Sequence, residues 1–323
     1  MSRDLVVALS GGIGGAKLAL GLSRIVRPEN LIVVANVGDD FEHLGLHISP
    51  DADTLMYTLA GLDNAKLGWG RQDETWSFME TLSALGGEDW FRLGDRDLAV
   101  HVERTRRLQH GESLSAVTAD FCRRLGVGPR MLPATDDRLR TRLLTDDGWL
   151  DFQDYFVRLR CGPVVRELAF DGAELARPHP DLLAALADER LRAVIICPSN
   201  PFISVEPILA VPGIREALSG CVAPVIAVSP IIGGRAVKGP TAKMMTELGM
   251  APSAAAVARR YGDLLDGYVM DVGDAEEAAQ ITPKVTLAPT LMTRLAEKKQ
   301  LARVVLGAAD ALAASKRRRD LVA

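Results

Sequence analysis

The 323-residue chain has only four cysteines, and Cys122, Cys161, Cys197 and Cys221 stand far apart with no C-x-x-C grouping. That spacing excludes the usual zinc frameworks and a disulfide scaffold and predicts reduced thiols in a cytoplasmic protein. No apolar run is long enough to span a bilayer, and the N-terminus enters a strand without the charged and apolar regions of a signal peptide. No excess of positive charge exists, the formal net charge being −4. A nucleic-acid-coating surface is therefore excluded, and neither nucleic acid nor membrane is an expected partner. The one dense basic run, Lys316-Arg-Arg-Arg319, ends the chain after a predicted helix and reads as a solvated tail. Internal repeats and low-complexity linkers are also missing. With 48% hydrophobic and 25% charged residues, what remains is an ordinary globular enzyme composition.

The most informative segment is Leu5-Val-Val-Ala-Leu-Ser10-Gly-Gly-Ile-Gly-Gly-Ala-Lys17, which reads as strand, glycine loop and helix. Gly11, Gly12, Gly14 and Gly15 allow backbone N–H groups to approach an anion, and the helix beginning near Ala16 directs its positive end at the same place. Lys17 adds a point charge. The loop lacks the Gly-Lys-Ser/Thr ending of a Walker A site, which weakens a P-loop kinase reading. It also has Lys17 where a dinucleotide fingerprint wants glycine, and the second strand, Leu31-Ile-Val-Val-Ala-Asn36, ends in asparagine rather than an acid. A nicotinamide dehydrogenase is thereby disfavoured.

Strand-like runs at 4–9, 31–36, 192–197 and 224–229, each followed by a Gly, Pro, Ser or Asn loop and a helical pattern, predict a Rossmann-like α/β fold. Its doubly wound, mostly parallel sheet should form one domain over residues 1–323. A helical insertion at 54–130 would cover the active site. A small β-rich extension at 130–175 is marked by Arg130-Met-Leu-Pro133, Val164–Phe170 and the turn signals Asp147-Gly148 and Asp171-Gly172. Residues 295–315 carry a helical period.

In such sheets the ligand lies outside the carboxyl ends of the strands, so four loops should share one crevice. The second holds Asp39, Asp40, Asp51 and Asp53 beside the phosphate loop. Carboxylates there would repel a bare phosphate but could hold a Mg²⁺ that bridges to it, although Asp51 or Asp53 could instead cap the helix near Thr54. Ser199 and Asn200, between prolines, suit either a nucleotide or a plain turn. Gly233, Gly234 and Lys238 form a second glycine-rich cationic loop, so one diphosphate could be gripped from both sides.

Arg92 precedes a helix in which Asp95 or Asp97 could cap. Trp69, Trp76 and Trp90 could wall a pocket for a flat ring or belong to the core. His43 and His47 are four apart, but the Gly45 between them argues against one helix presenting both to a metal. His101 reads as structural or exposed.

Together, Ser10-Gly-Gly-Ile-Gly-Gly-Ala-Lys, Asn36-Val-Gly-Asp-Asp, Ser49-Pro-Asp-Ala-Asp-Thr, Leu93-Gly-Asp-Arg-Asp, Pro198-Ser-Asn-Pro and Ser229-Pro-Ile-Ile-Gly-Gly resemble the 2-phospho-L-lactate transferase family nearly end to end. The resemblance implies a phosphotransferase for substituted phosphate groups in the biosynthesis of the deazaflavin coenzyme F420. In that reaction the ribityl hydroxyl of the deazaflavin FO attacks the acid-bearing phosphate of a guanosine diphosphodiester, and GMP leaves with assistance from Mg²⁺. By the match, Asp53 and Arg92 stand at deazaflavin-binding positions, and the glycine loop, Ser199 and Asn200 stand where the guanosine diphosphate is held. Asp39 and Asp53 are then the expected metal contacts, with Asp53 and Lys17 expected to act in the chemistry. Some members carry Glu at the Asp39 position, and the Arg92 position varies. A homodimer is implied as well. The competing expectation is a non-enzymatic, nucleotide-sugar-binding regulator of the related superfamily, in which the Trp69 to Asp97 insertion would be unneeded. The acid carried by the donor (phospholactate, phosphoenolpyruvate or phosphoglycerate) stays open at this stage.

Overall fold

The structure, a computed structural model, describes residues 3–64 and 69–320, the last five of these as backbone only. The side chains of Lys316–Arg319, read above as a solvated tail, thus lie outside the described residues. Seven strands form one parallel sheet. Its spatial order is Lys284–Leu287, Gly267–Met270, Val225–Val228, Leu191–Ile196, Leu5–Ser10, Leu31–Ala35 and Arg130–Pro133. Counted along the chain from the middle outward, this is the Rossmann arrangement. The order reverses between Leu5–Ser10 and Leu191–Ile196, which opens a crevice at the carboxyl ends of those two strands.

The central strand shows why the sequence reads as an unbroken apolar run. Leu5, Val7 and Leu9 enter the core on one face of the sheet, while Val6 and Ala8 enter the core on the other. A parallel strand covered on both faces has no polar side to alternate with. Helices Gly12–Ser23, Pro50–Ala60 and Leu295–Asp320 cover one face, and Pro180–Leu186, Ile214–Gly220 and Ala254–Tyr261 cover the other.

Two expectations need correction. Arg130–Pro133 does not belong to the β-rich extension; it pairs in parallel with Leu31–Ala35 as the edge strand of the main sheet. The separate antiparallel sheet consists of Arg140–Thr145 between Gly148–Asp151 and Val165–Asp171. A four-residue strand ending in proline gives no periodicity from which its partner can be read, and an edge position tolerates the missing N–H. The span 54–130 is likewise not all insertion. The helix Pro50–Ala60 lies against Gly12–Ser23, and Leu114–Arg124 is the crossover helix packed on Arg130–Pro133. What stands over the crevice is the hairpin Phe41–His43/Leu46–Ile48 with the helices Ser77–Ala84 and Asp95–Gln109, joined around a small cluster of Ile48, Met79 and Leu93. Among the described residues no helix is long and apolar enough to cross a membrane.

Candidate functional site

A cavity of about 640 Å³ fills the crevice at the strand ends. Its floor is the glycine loop. Gly11 is extended and Gly12 takes a φ of 63°, after which the helix begins. Two side chains clasp this turn: Asp51 accepts the Gly12 N–H at 2.6 Å, and Ser199 accepts the Gly11 N–H at 3.2 Å while donating its hydroxyl to the Gly11 carbonyl at 2.8 Å. Ile13 and Gly14 line the cavity, and N–H groups in a helix's first turn have no intrahelical acceptor, so they are available to an anion.

A Cβ on Gly14 would collide with the Pro198 carbonyl oxygen, so glycine is required there by the close approach of the two loops. Gly14→Ala should therefore separate the loops, cost about 1–3 kcal/mol of stability and weaken the binding of a phosphate-bearing ligand at the loop, with GDP as the probe. A melting curve and a GDP titration matching wild type would refute this.

Lys17 and Lys238 face the same cavity. Burial, followed by repulsion from Lys238 and Lys298, lowers the Lys17 ammonium below its usual range. A lysine depressed by burial and by neighbouring like charges marks a place where an anion would be compensating.

Opposite lies the acidic group. Asn36, at the end of its strand, donates from Nδ2 to Asp39 Oδ1 at 3.1 Å and to Asp51 Oδ2 at 2.9 Å, and its Oδ1 accepts the Gly38 N–H at 2.8 Å. Asp40 accepts the Ser49 hydroxyl at 2.9 Å and lies 3.2 Å from His47 Nε2, yet its Oδ1 is buried without a partner among the described residues. Burial, then the charge of Asp51, holds the Asp39 carboxyl well above the carboxylate range; burial raises Asp51 from 3.8 to about 6. Of these carboxylates Asp39 lines the cavity. Hard oxygen donors of uncompensated charge fit Mg²⁺.

The sign for the metal-free protein follows from those shifts. The folded state binds protons on Asp39 and Asp51 more tightly than the unfolded chain does. The contribution of Asp51 to stability is therefore complete below about pH 4 and is lost as pH rises through about 6, and that of Asp39 is lost in the same direction. Wild type should lose melting temperature relative to Asp51→Asn between about pH 5 and pH 8. A constant difference across that range would contradict this.

Asp53 has a different setting. Its two oxygens are held by the Arg104 guanidinium, at 3.0 Å for Oδ2, with both residues buried. Arg104 Nη1 also lies 3.3 Å from His101 Nδ1, His101 Nε2 lies 3.3 Å from Asp97 Oδ2, and the Tyr57 hydroxyl donates to Asp97 Oδ1 at 2.6 Å. Burial opposes ionisation of Asp97, but His101 and Tyr57 outweigh it and its pKa falls; burial and the adjacent carboxylates keep Tyr57 a phenol. One potential ligand atom each from Asp53, Asp97 and His101 lies within 4.8 Å of the others. Arg104 already balances that cluster, so Asp53 is an aimed carboxylate with its charge compensated, and Asp39 is the one whose charge is not.

The far end of the cavity is aromatic. Trp69, Trp90 and Phe91 line it, and the Arg92 guanidinium lies 4.2 Å from the centroid of the Trp76 ring. Two acids hold this wall by reciprocal capping. Asp95 accepts the N–H groups of Ser77 and Phe78, which start one helix, while Glu74 accepts those of Arg96 and Asp97, which start the next.

The cavity thus brings together Gly11, Gly12, Gly14, Lys17, Asp39, Asp53, Arg92, Ser199 and Asn200 from the sequence reading. Gly15 sits behind the loop, against the hydroxyls of Ser10 and Ser199. Gly233 and Gly234 also fall outside it. They form the tip of the Ile231–Ile232/Arg235–Ala236 hairpin, with φ of 58° and 71°, and that loop reaches the cavity through Ile232, Val237 and Lys238 instead. Asn200 serves both of its readings, lining the cavity while its Oδ1 accepts the Phe202 N–H. Asp51 does not cap its own helix but holds the glycine loop. His43 and His47 lie on a hairpin in which Glu42 pairs with His47 and His43 with Leu46, so they point to opposite faces.

Of the two readings of His101 the exposed one is overturned, since the residue is buried, and it also lines the cavity. Its partners Arg104 and Asp97, and Tyr57 as the donor to Asp97, were missed. The signal was present in the i, i+4 spacing of Asp97 and His101 and the i, i+3 spacing of His101 and Arg104 on one helix face.

Residues 6–302 match the family model described as 2-phospho-L-lactate transferase CofD. The chain is 42% identical over 314 residues to a phosphoenolpyruvate transferase of Streptomyces coelicolor, covering 94% of this chain and 98% of that protein. It is 40% identical over 313 residues to a phosphoenolpyruvate transferase of Mycobacterium tuberculosis, covering 89% and 93%. Among solved structures it is similar in fold to a UPF0052-family protein of Bacillus halodurans, with a TM-score of 0.60 at 14% identity over 95% of this chain and 99% of that one. With a matching family model across nearly the whole chain and relatives this similar end to end, the protein belongs to the 2-phospho-L-lactate transferase (CofD) family.

Proposed function

We propose that this protein transfers the phospho-acid half of a guanosine diphosphodiester to the terminal ribityl hydroxyl of the deazaflavin FO, releasing GMP, in coenzyme F420 biosynthesis. The observation that carries this reading is the single cavity with a cationic glycine-loop end, an aromatic end, and Asp39 and Asp53 on its walls. A diphosphate suits the first end, a flat tricyclic ring the second, and the reacting atoms would meet beside the carboxylates. The relatives named phosphoenolpyruvate transferase favour enolpyruvyl as the acid.

Asp39 would hold Mg²⁺, which when bound neutralises charge on the phosphate oxygens. The chain's own residues do the rest. The glycine-loop N–H groups, Lys17 and Lys238 hold the diphosphate in line, while Trp69, Trp90 and Arg92 hold the ring. Asp53, oriented by Arg104, accepts the proton of the ribityl hydroxyl as the hydroxyl oxygen bonds to the acid-bearing phosphorus and the bond to GMP breaks.

The test is incubation of the purified protein with FO, Mg²⁺ and each candidate donor, read by mass spectrometry. Phosphoenolpyruvyl-linked deazaflavin with stoichiometric GMP is expected. Tight binding of a nucleotide sugar without product from any donor would favour the regulatory reading instead.

A further inference from the structure

Among the described residues four cationic side chains line the cavity: Lys17, Lys238, Arg92 and Arg160. The two lysines adjoin the glycine loop and the guanidinium of Arg92 is engaged by Trp76. Arg160 remains. It is exposed at the cavity wall and has no carboxylate partner among the described residues, whereas its neighbour Arg158 is taken up by Asp154, Glu88 and the Trp90 ring.

The backbone at Arg160 is unusual for its residue type. The helical turn Asp154–Arg158 ends at Leu159, and then Arg160 and Cys161 adopt φ of 51° and 56°. These are the only consecutive non-glycine residues in the left-handed region among the described residues. The Cys161 N–H donates to the Tyr155 carbonyl at 2.8 Å and the Gly162 N–H to that of Leu159 at 2.9 Å, so the surroundings impose the conformation. Glycine is the usual occupant just beyond a helix end of this kind, because it takes the left-handed conformation without strain. An arginine retained there at a conformational cost suggests a use for its side chain.

Its location indicates which use. Gln153, immediately before the same turn, donates from Nε2 to the Asp39 carbonyl at 3.2 Å, and Phe152 stacks on Phe156 with 5.3 Å between ring centroids. The turn ending at Arg160 is thus fastened to the backbone of Asp39, while Arg158 of the same turn lies over the Trp90 ring, so the turn runs between the carboxylate-lined wall and the aromatic one. Resting on the function proposed above, we infer that Arg160 binds the carboxylate of the donor's acid half, the one donor charge the glycine-loop lysines do not meet. A planar guanidinium offers two parallel N–H groups to such a carboxylate.

Arg160→Gly separates side chain from backbone, since glycine relieves the conformation while deleting the guanidinium. The melting temperature should hold or rise. Affinity for the enolpyruvyl guanosine diphosphodiester, measured by titration calorimetry without FO, should fall about tenfold or more while affinity for GDP stays within about twofold. Arg160→Lys should recover only part of the loss. Equal losses for donor and GDP, or no loss for either, would overturn the assignment. If wild type forms product and Arg160→Gly does so with an unchanged donor KM, the inference fails and the transferase reading stands. If wild type binds no donor and forms no product, both fall.

Discussion

Asp53→Asn is expected to lower kcat by about 10²-fold or more while GDP affinity changes little, because the substitution removes a proton acceptor and leaves the glycine-loop end intact. The asparagine keeps the shape of the side chain but supplies one neutral oxygen where Arg104 now meets two charged ones. Near wild-type turnover would remove Asp53 from the chemistry and leave it a structural partner of Arg104. Loss of FO binding with kcat unchanged at saturation would instead mark it as a recognition residue. Steady-state kinetics with FO as the varied substrate separates these outcomes.

Arg104→Leu should produce the largest stability loss in the site, about 3–5 kcal/mol, since it leaves the Asp53 carboxylate buried without its counterion. His101 would remain near Asp53, but at 3.7 Å between Nδ1 and Oδ2 it is a poor substitute for a two-pronged guanidinium. Arg104→Lys should recover little, for the same geometric reason. The double variant Asp53→Leu, Arg104→Leu should be less destabilised than the sum of its single changes, because the pair is removed together, and it should be inactive. Additive losses in urea denaturation would show that the two residues are not coupled.

How much of this was legible in the sequence depended on the range of the interaction concerned. The glycine loop was readable because strand, loop and helix are consecutive, and apolar runs such as Leu31–Ala35 were readable because burial on both sheet faces leaves no alternative composition. The crevice could be anticipated because a parallel sheet places the loop after Ser10 and the loop after Ile196 side by side. The coupling of Asp53 to Arg104 could not. The two are 51 positions apart, and neither spacing nor composition indicates that a helix of the insertion turns that face inward.

The part played by Asp51 was not legible for a related reason. An acid in a first helical turn has a sufficient local explanation as a cap, and only the fold brings the Gly12 N–H within its reach. Gly233 and Gly234 show the converse error: the same residue type that shapes the loop lining the cavity at Gly12 serves a tight turn in the Ile231–Ala236 hairpin.

A crystal structure of the protein with FO, GDP and Mg²⁺ tests the central claim, that one cavity holds both substrates across a carboxylate-lined centre. The account predicts the diphosphate on the N–H groups of Ile13 and Gly14 with Lys17 beside it, the deazaflavin ring among Trp69, Trp90 and Arg92, a metal on Asp39, and the terminal ribityl hydroxyl within hydrogen-bonding reach of Asp53. FO bound outside this cavity, or with its ribityl chain directed away from Asp53, would contradict it.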